Sequence, residues 1–511
     1  MDSGGFSMTA GSSKRYSLAK LPNLMQSCCG RPPRPRSETS HRPETYYHSL
    51  DSVYTQLEGS MPPVRLLNSE WILARADALA AATTKADRAA LALPRRQDLE
   101  RNHPEAFLSL AEVRSLEVGA VGVCVAIGSV SHAWHSAHHP DPMGESLLQI
   151  AATLRTAQRA ELQCQKAGSV DGPFGPTNFR RLPARCAIFY DWCSLFQARK
   201  APSGKVLIAR VPAEEAAFRR ALREMQLWFA HKMLFAILLT LPPASRGIAT
   251  DESGSEAGSE ESTPYYERGW PTVECAWTML AKASVVAISR SSSLLPGSSR
   301  CWPMIYDVGS SSGEAKRMPP MHPDTLAKLL ATKRFTSPKA DRPLVERLYR
   351  ATLRSVLGGA TVLAFPRSGW ADDEMVKLCN VLPLCKRCVR LELHANECGD
   401  VGAAALAAAA QRGALPRVET IYLEGNRVGD SGCATLTAAV RAGALPRLRE
   451  LTVAGNPASF ESKAELMRAL GERTTTRRSG PRRPLIASVH ALRASKRWRA
   501  PVASVEEAVV V

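Results

Sequence analysis

Three short segments of this chain carry the residue types that do chemistry when they are gathered in one place. SVSHAW (129–134) supplies a hydroxyl, an imidazole and an indole, FYDWCSLFQ (189–197) a carboxylate, a thiol and an amide, and ERGWPTVE (267–274) a guanidinium, an indole and two carboxylates. A carboxylate beside a hydroxyl and a cation can hold ligand hydroxyls or stabilise a developing positive charge. The first segment is also rich in imidazole. His132, His135, His138, His139 and Asp141 are zinc-ligating types, but their spacing follows no established ligand pattern and HHPDP is a proline-constrained loop, so no metal is expected. Cys385 and Cys388 form one pair with no properly spaced second pair and read as buried thiols.

The surrounding sequence places these segments on a sheet. AVGVCVAIGSV (120–130) is a continuous apolar run of the kind buried on both faces of a parallel sheet, and MGESLLQIAATLRTAQRAELQ after it has helical periodicity. ARCAIFYDWCSLFQ reads as a second strand, AEEAAFRRALREMQLWFAHK as a helix, MLFAILLTL as a third strand, PTVECAWTMLAKA as a helix and SVVAIS as a fourth strand. This alternation predicts an α/β domain with a three-layer parallel sheet, whose ligand sites lie at the carboxyl ends of the strands. All three segments start at or follow such ends. Helical patterns over 65–113 (RLLNSEWILARADALAAATTKADRAALAL and RRQDLERNHPEAFLSLAEV) lead into the first strand.

Composition bounds the rest. At 511 residues, with 45% hydrophobic residues, the chain suits two folded domains plus linkers. Residues 1–62 are rich in Ser, Pro, Arg and Gly and are expected to be disordered. Cys28 and Cys29 within them read as unmodified thiols. Residues 164–183 read as a loop, 243–264 as an acidic, Ser/Gly-rich surface loop, and 291–358 as a connector. The net charge is +18, and from Arg473 onward nine basic residues face two acidic ones, a tail (476–511) that reads as disordered and suits phosphates or an anionic membrane surface if it binds anything. Thirteen scattered cysteines without framework spacing point to a reducing, cytoplasmic or nuclear setting. The longest apolar run, Met233–Leu241, is far short of the roughly 20 residues of a membrane-spanning helix.

From about 359 to 475 the sequence repeats every 30 residues. Asn396, Asn426 and Asn456 recur at that interval, as do Leu393, Leu423 and Val453. Gly399, Asp400, Gly402, Leu406, Gly413, Leu415 and Pro416 each recur 30 residues on. Each unit reads as a short strand, an asparagine turn and an Ala/Leu helix that cannot bury its apolar face alone, so the units must stack. The L-x-L-x-x-N pattern resembles the ribonuclease-inhibitor type of leucine-rich repeat, which implies a short α/β solenoid. Its concave strand face would bind a protein partner through Glu392, His394, Tyr422, Glu424 and Thr452, with Ala454 beside them.

The α/β segment, over about 120–290, resembles the heterokaryon-incompatibility (HET) domain pattern of a Ser-Tyr-x-Trp, a Trp-Ile-Asp-x-x-Cys-Ile-x-Gln and an Arg-x-Trp-x-x-Gln-Glu segment. Ser131 and Trp134 fill the first, Asp191, Cys193 and Gln197 the second, and Arg268, Trp270 and Glu274 the third. His132 stands where the pattern has tyrosine, Trp192 follows the aspartate rather than preceding it, and Val273 replaces a glutamine. HET domains are similar to Toll/interleukin-receptor (TIR) domains, a flavodoxin-like fold, and some of those cleave NAD with a glutamate near a tryptophan. The resemblance therefore implies Glu274 as the principal catalytic residue, with Ser131, Asp191 and Arg268 around it and Trp134, Trp270, Cys193 and Gln197 lining the pocket. The alternative is a structural polar network with the tryptophans as core, and it is the favoured one.

No GxxxxGK[ST], GxSxG or strand-borne GxGxxG is present, so nucleotide-loop, serine-hydrolase and dehydrogenase readings have no local support. The expectation is a signalling or surveillance protein that joins a HET-like module to a protein-binding repeat array and acts by binding and self-association. It needs no cofactor, and NAD is its substrate if it is an enzyme.

Overall fold

The computed structural model describes residues 44–116, 125–136, 138–159, 182–201, 203–241, 263–282, 304–309 and 317–476. The acidic segment at 243–264 is outside them but for its last two residues, and SVVAIS, the two N-terminal cysteines, almost all of the loop at 164–183 and the basic tail beyond 476 lie outside them altogether. Two sheets organise the chain. The first contains β1 (Leu67–Asn68), β2 (Ile127–Ser131) and β3 (Ala187–Phe189); β4 (Arg199–Lys200) and β5 (Val206–Ile208) form a separate hairpin; β6 (Phe235–Leu238) and β7 (Ile305–Asp307) complete the first sheet. Its order is β1-β3-β2-β6-β7.

Four of these strands are parallel, as expected, and β1 corrects the expectation of an all-parallel sheet by pairing antiparallel with β3 at one edge. Every residue of β2, β3 and β6 is buried, so both faces of the sheet are covered. The helices Ser69–Ala81 and Glu145–Arg159 pack on one another, and Met225–Ala230, Gly269–Ala281 and Pro338–Gly359 form a second packed group. The chain reverses its direction of strand addition between β2 and β6, the place where open parallel sheets leave a crevice.

Several boundaries differ from the sequence expectation. Residues 44–62, read as disordered, carry a 3-10 turn at Glu44–Tyr47 and a helical turn at Asp51–Tyr54, with Tyr47 and Val53 buried in the core. Two apolar anchors suffice to order a polar stretch against an existing core. The fourth parallel strand is β7, inside the expected connector. That connector also contains the helices Pro323–Ala331 and Pro338–Gly359, whose apolar stripes (Leu326 and Leu330; Val345, Tyr349, Leu353 and Leu357) are buried. The helix expected over 213–232 breaks into Pro212–Leu222 and Met225–Ala230, and FYDWCSLFQ turns into one helical turn, Asp191–Ser194, immediately after β3.

The second sheet is β8 (Val362–Ala364), β9 (Arg390–Glu392), β10 (Thr420–Tyr422) and β11 (Glu450–Thr452), parallel in sequence order and in register: Leu363, Leu391, Ile421 and Leu451 align and are buried. The helices Asp372–Val381, Asp400–Gln411, Asp430–Arg441 and Phe460–Thr476 follow the strands and stack on one another. The repeated side chains hold the stack by satisfying backbone groups of neighbouring units. Asn426 accepts from Cys398 N at 3.1 Å and donates to the Leu393 and Leu423 carbonyls; Asp400 accepts from Gly429 N at 2.6 Å and Gly432 N at 2.9 Å, one unit on. Gly432 is required where it stands, since a Cβ would lie 2.6 Å from that same Asp400 oxygen.

Arg317 joins the two sheets. Its guanidinium, 3% exposed, donates to the Met279 and Leu280 carbonyls at the end of the Gly269–Ala281 helix and to the Ala364 carbonyl of β8, and lies over the Phe365 ring, while its own carbonyl accepts from the Trp370 indole at 2.7 Å. Burial pushes it down to about 9, so it stays charged at neutral pH. Arg317→Met would leave three buried carbonyls unpaired. Its urea midpoint is expected to fall by an amount equivalent to roughly 3 kcal/mol, and a loss within 0.5 kcal/mol of zero would show that this contact does not hold the sheets together.

Candidate functional site

The three chemistry-bearing segments meet where the parallel strands end. Ser131 is the last residue of β2, Asp191 follows β3 by two positions, and Glu274 lies in the second turn of the Gly269–Ala281 helix, whose first turn carries Trp270. Together with the helix Pro212–Leu222, the β4–β5 hairpin and residues 334–341, they surround a cleft of ≈ 330 Å³ lined by His132, Trp134, Asp191, Gln197, Trp270 and Glu274, among others.

Glu274 forms the inner wall. It is 6% exposed, and Ser131 Oγ donates to its Oε2 at 2.6 Å; that hydroxyl also lies 2.7 Å from the Tyr265 hydroxyl, which donates in turn to the Pro271 carbonyl. Burial pushes the Glu274 carboxyl up to about 8, against the opposing pull of the Ser131 hydrogen bond and with a further push from Asp191. At neutral pH it is therefore a neutral acid. Ser131 itself is fully buried behind Glu274 and does not reach the cleft, which makes it a support for Glu274 rather than a ligand group.

Asp191 forms the second polar centre. Its carboxylate accepts from the Trp134 indole at 3.1 Å and from its neighbour's backbone at Trp192 N, while Gln197 Nε2 donates to its carbonyl at 3.0 Å. His132 is 5% exposed, stacks on Tyr190 with centroids 4.4 Å apart, and points Nε2 toward Asp191 Oδ1 at 3.5 Å. That distance is too long for a good hydrogen bond, and Nε2 has no hydrogen-bond partner. Burial holds the imidazole below its ordinary range, hence neutral.

The outer wall comes from the expected connector, and sequence reasoning missed it. Arg334 N donates to the Glu267 carbonyl and Gly269 N to the Arg334 carbonyl, so residues 334–336 lie along the third motif like an added strand. The Phe335 ring lies on Gly269, where a Cβ would sit 2.0 Å from it. Asp341, in the first turn of the Pro338–Gly359 helix, accepts from Trp270, and burial raises its pKa. A legible signal existed in FTSPKAD: a serine before a proline that opens a helix. Tyr265 had no such signal.

Other expected groups are placed elsewhere. Cys193 is buried outside the cleft with Sγ against the Pro94 carbonyl and its thiol pushed well up by burial, which corrects its assignment as pocket lining. Asp141 accepts from Glu145 N and Leu147 N and so caps the following helix, and His139 Nε2 meets the Leu93 carbonyl; among the described residues no group of His, Cys, Asp and Glu is arranged to hold a metal. Cys385 and Cys388 are buried against the Val381 and Arg390 carbonyls. In the second sheet, Glu392, Tyr422 and Thr452 align across β9, β10 and β11, and His394, Glu424 and Ala454 continue the same face beyond the strand ends. Glu424 Oε2 and Thr452 Oγ1 are shielded there without a hydrogen-bond partner. A wider depression of ≈ 510 Å³ beside Leu57–Pro62 is less suited to a ligand, because its buried cation, Arg96, is committed to the Pro62, Pro63 and Ser194 carbonyls and to Glu100.

Because Glu274 is protonated in the fold up to about pH 8 but would ionise near 4.5 when unfolded, its contribution to stability is full below 4.5 and is lost as pH rises through 8. The stability difference between the wild type and Glu274→Gln, measured by denaturant at each pH, is expected to move in favour of the variant across that window, by an amount on the order of 4 kcal/mol. A difference that stays flat would mean an ordinary, solvated carboxyl.

No family model matches this chain, and no curated protein matches it. Among solved structures, leiomodin-1 actin-binding site 2 is similar to 23% of this chain and 83% of its own length, at 15% identity and a TM-score of 0.19, a likeness too slight to carry fold or function.

Proposed function

We propose that this chain is a signalling protein in which a HET-like α/β module with a flavodoxin-like strand order is joined to a leucine-rich-repeat array that binds a protein partner. The observation that carries this reading is the shared wall. Residues 334–341 close the Glu274 cleft, and the helix they begin, roughly 33 Å long, ends immediately before β8 of the array. A ligand that changes the packing of that wall has a rigid element through which to bias the array. The half-exposed His394, Tyr422, Glu424 and Thr452 side chains on the strand face support partner binding there, while Glu392 is buried and paired with Arg390 and so positions that face rather than meeting a partner.

A second reading, NAD cleavage, is favoured by one specific observation: a carboxyl held out of water in a cleft that also presents Asp191, Arg268 and three tryptophans, Trp134, Trp192 and Trp270. In that reaction the bond between the ribose C1′ and the nicotinamide nitrogen breaks, and its electron pair leaves with nicotinamide. Water then adds to C1′ and gives up a proton, yielding ADP-ribose. Ionised Glu274 would stabilise the oxocarbenium-like state, as glycosidic carboxylates do. The cationic nicotinamide ring would favour that ionised form over the neutral acid of the empty cleft.

Full-length protein incubated with NAD separates the readings. Nicotinamide release that rises toward pH 8 and falls at least about a hundredfold in Glu274→Gln is the expected sign of the enzyme, since loss of one charge-stabilising group costs that much. Release that is absent, or equal in the variant, removes it. The signalling reading is tested without NAD by hydrogen exchange: Phe335→Ala, which loosens the shared wall, is expected to speed exchange in β8 as well as over 334–345, and no change in β8 would contradict coupling through that wall.

A further inference from the structure

At the rim of the cleft, the most unusual surface of the described molecule is the β4–β5 hairpin. Val206, Leu207 and Ile208, the whole of β5, are 50%, 57% and 49% exposed, and Val211 follows at 55%. Successive side chains of a strand point to opposite faces, so neither face of β5 rests on a core. Among the described residues β5 pairs only with β4, which leaves its second backbone edge open. The strand is short, shifts register against β4 and is flanked by cations, which discourages pairing with a second, equally cationic copy but leaves the aliphatic edge open to a strand of opposite charge. A wholly aliphatic strand with an open edge suits a sheet that lacks its third strand.

Charge selects the occupant. Residues 198–211 (ARKAPSGKVLIARV) contain Arg199, Lys200, Lys205 and Arg210 and no acidic residue. Arg210 is paired with Glu215 at 2.8 Å, whereas Lys205 stands exposed where the aliphatic run begins and Arg199 stands exposed on β4 opposite Ile208, where it ends. Two copies meeting at this edge would bring two such sets of cations together, at a cost that no acid within the segment offsets. We propose that β5 is a docking edge for an extended segment of another protein, aliphatic at its centre and acidic at its flanks, which adds as a third strand. Main-chain hydrogen bonds along β5 supply most of the affinity, and Arg199 and Lys205 select the acidic flanks. Lys200, Val206 and Arg210 are also part of the cleft rim, so the added strand would lie beside the cleft mouth.

The probe is a fluorescein-labelled peptide with a Val-Thr-Val-Thr-Val centre and two glutamates at each end, compared with the same centre flanked by lysines, both titrated into the full chain. The glutamate-flanked peptide is expected to bind at least about tenfold more tightly. Leu207→Pro, which removes a backbone donor from the strand, should weaken it by about tenfold or more. Arg199→Glu combined with Lys205→Glu should invert the preference and keeps the test independent of any disturbance of the hairpin by proline. These side chains are exposed, so thermal unfolding should not change. The proposal is overturned by equal binding of the two peptides, by undiminished binding to Leu207→Pro, or by light scattering that shows the full chain to be a dimer which Leu207→Pro dissociates.

Discussion

A carboxyl group taken out of water constrains most of what surrounds it. Glu274 remains protonated only while the cleft wall excludes solvent, and Ser131 must be buried to donate to it. Ser131 must in turn end a strand that is buried on both faces, which requires helices on both sides of the first sheet. Tyr265 completes the arrangement by occupying the remaining side of the Ser131 hydroxyl. A neutral acid beside a neutral imidazole and the Asp191 carboxylate gives the cleft three polar groups of different character within a wall of tryptophans. That combination suits a ligand with both a flat ring and hydroxyl groups, since indoles stack on the first and carboxyl groups hydrogen-bond to the second.

The second sheet depends on a different device. Its strands have three residues each and the helix Asp400–Gln411 is largely alanine, so side-chain volume alone would hold that unit loosely. The asparagines bond backbone groups of both their own and the adjacent unit, and the aspartates those of the next unit, so polar satisfaction ties the units together. Arg317 then ties the first unit to the end of the helix that carries Glu274. Through that arginine and the Pro338–Gly359 helix, the cleft and the array have two routes of mechanical contact.

Much of the framework was legible in the sequence because it rests on periodicity. The apolar runs behind β2, β3 and β6 and the 30-residue recurrence of asparagine both report burial directly, and the strand-face residues from Glu392 to Thr452 follow from alternation. The convergence of Ser131, Asp191 and Glu274 followed from strand ends. What could not be read was set by tertiary contact. Strand β7 has three residues and no period to find; Tyr47 and Val53 are single anchors in a polar stretch; and Phe335 and Asp341 reach the cleft only because a segment of the expected connector lies against Glu267–Gly269. Cys193 matched a motif position yet faces the Pro94 carbonyl, because the helical turn at Asp191–Ser194 rotates it away from the cleft.

The most direct test of this account is a pH titration of the Glu274 carboxyl carbon by nuclear magnetic resonance, assigned by comparison with Glu274→Gln and repeated in the presence of NAD. The account predicts a midpoint near 8 for the free protein and a lower one when a cationic ring occupies the cleft. A midpoint near the ordinary carboxylate value of about 4.3, unchanged by NAD, would contradict it.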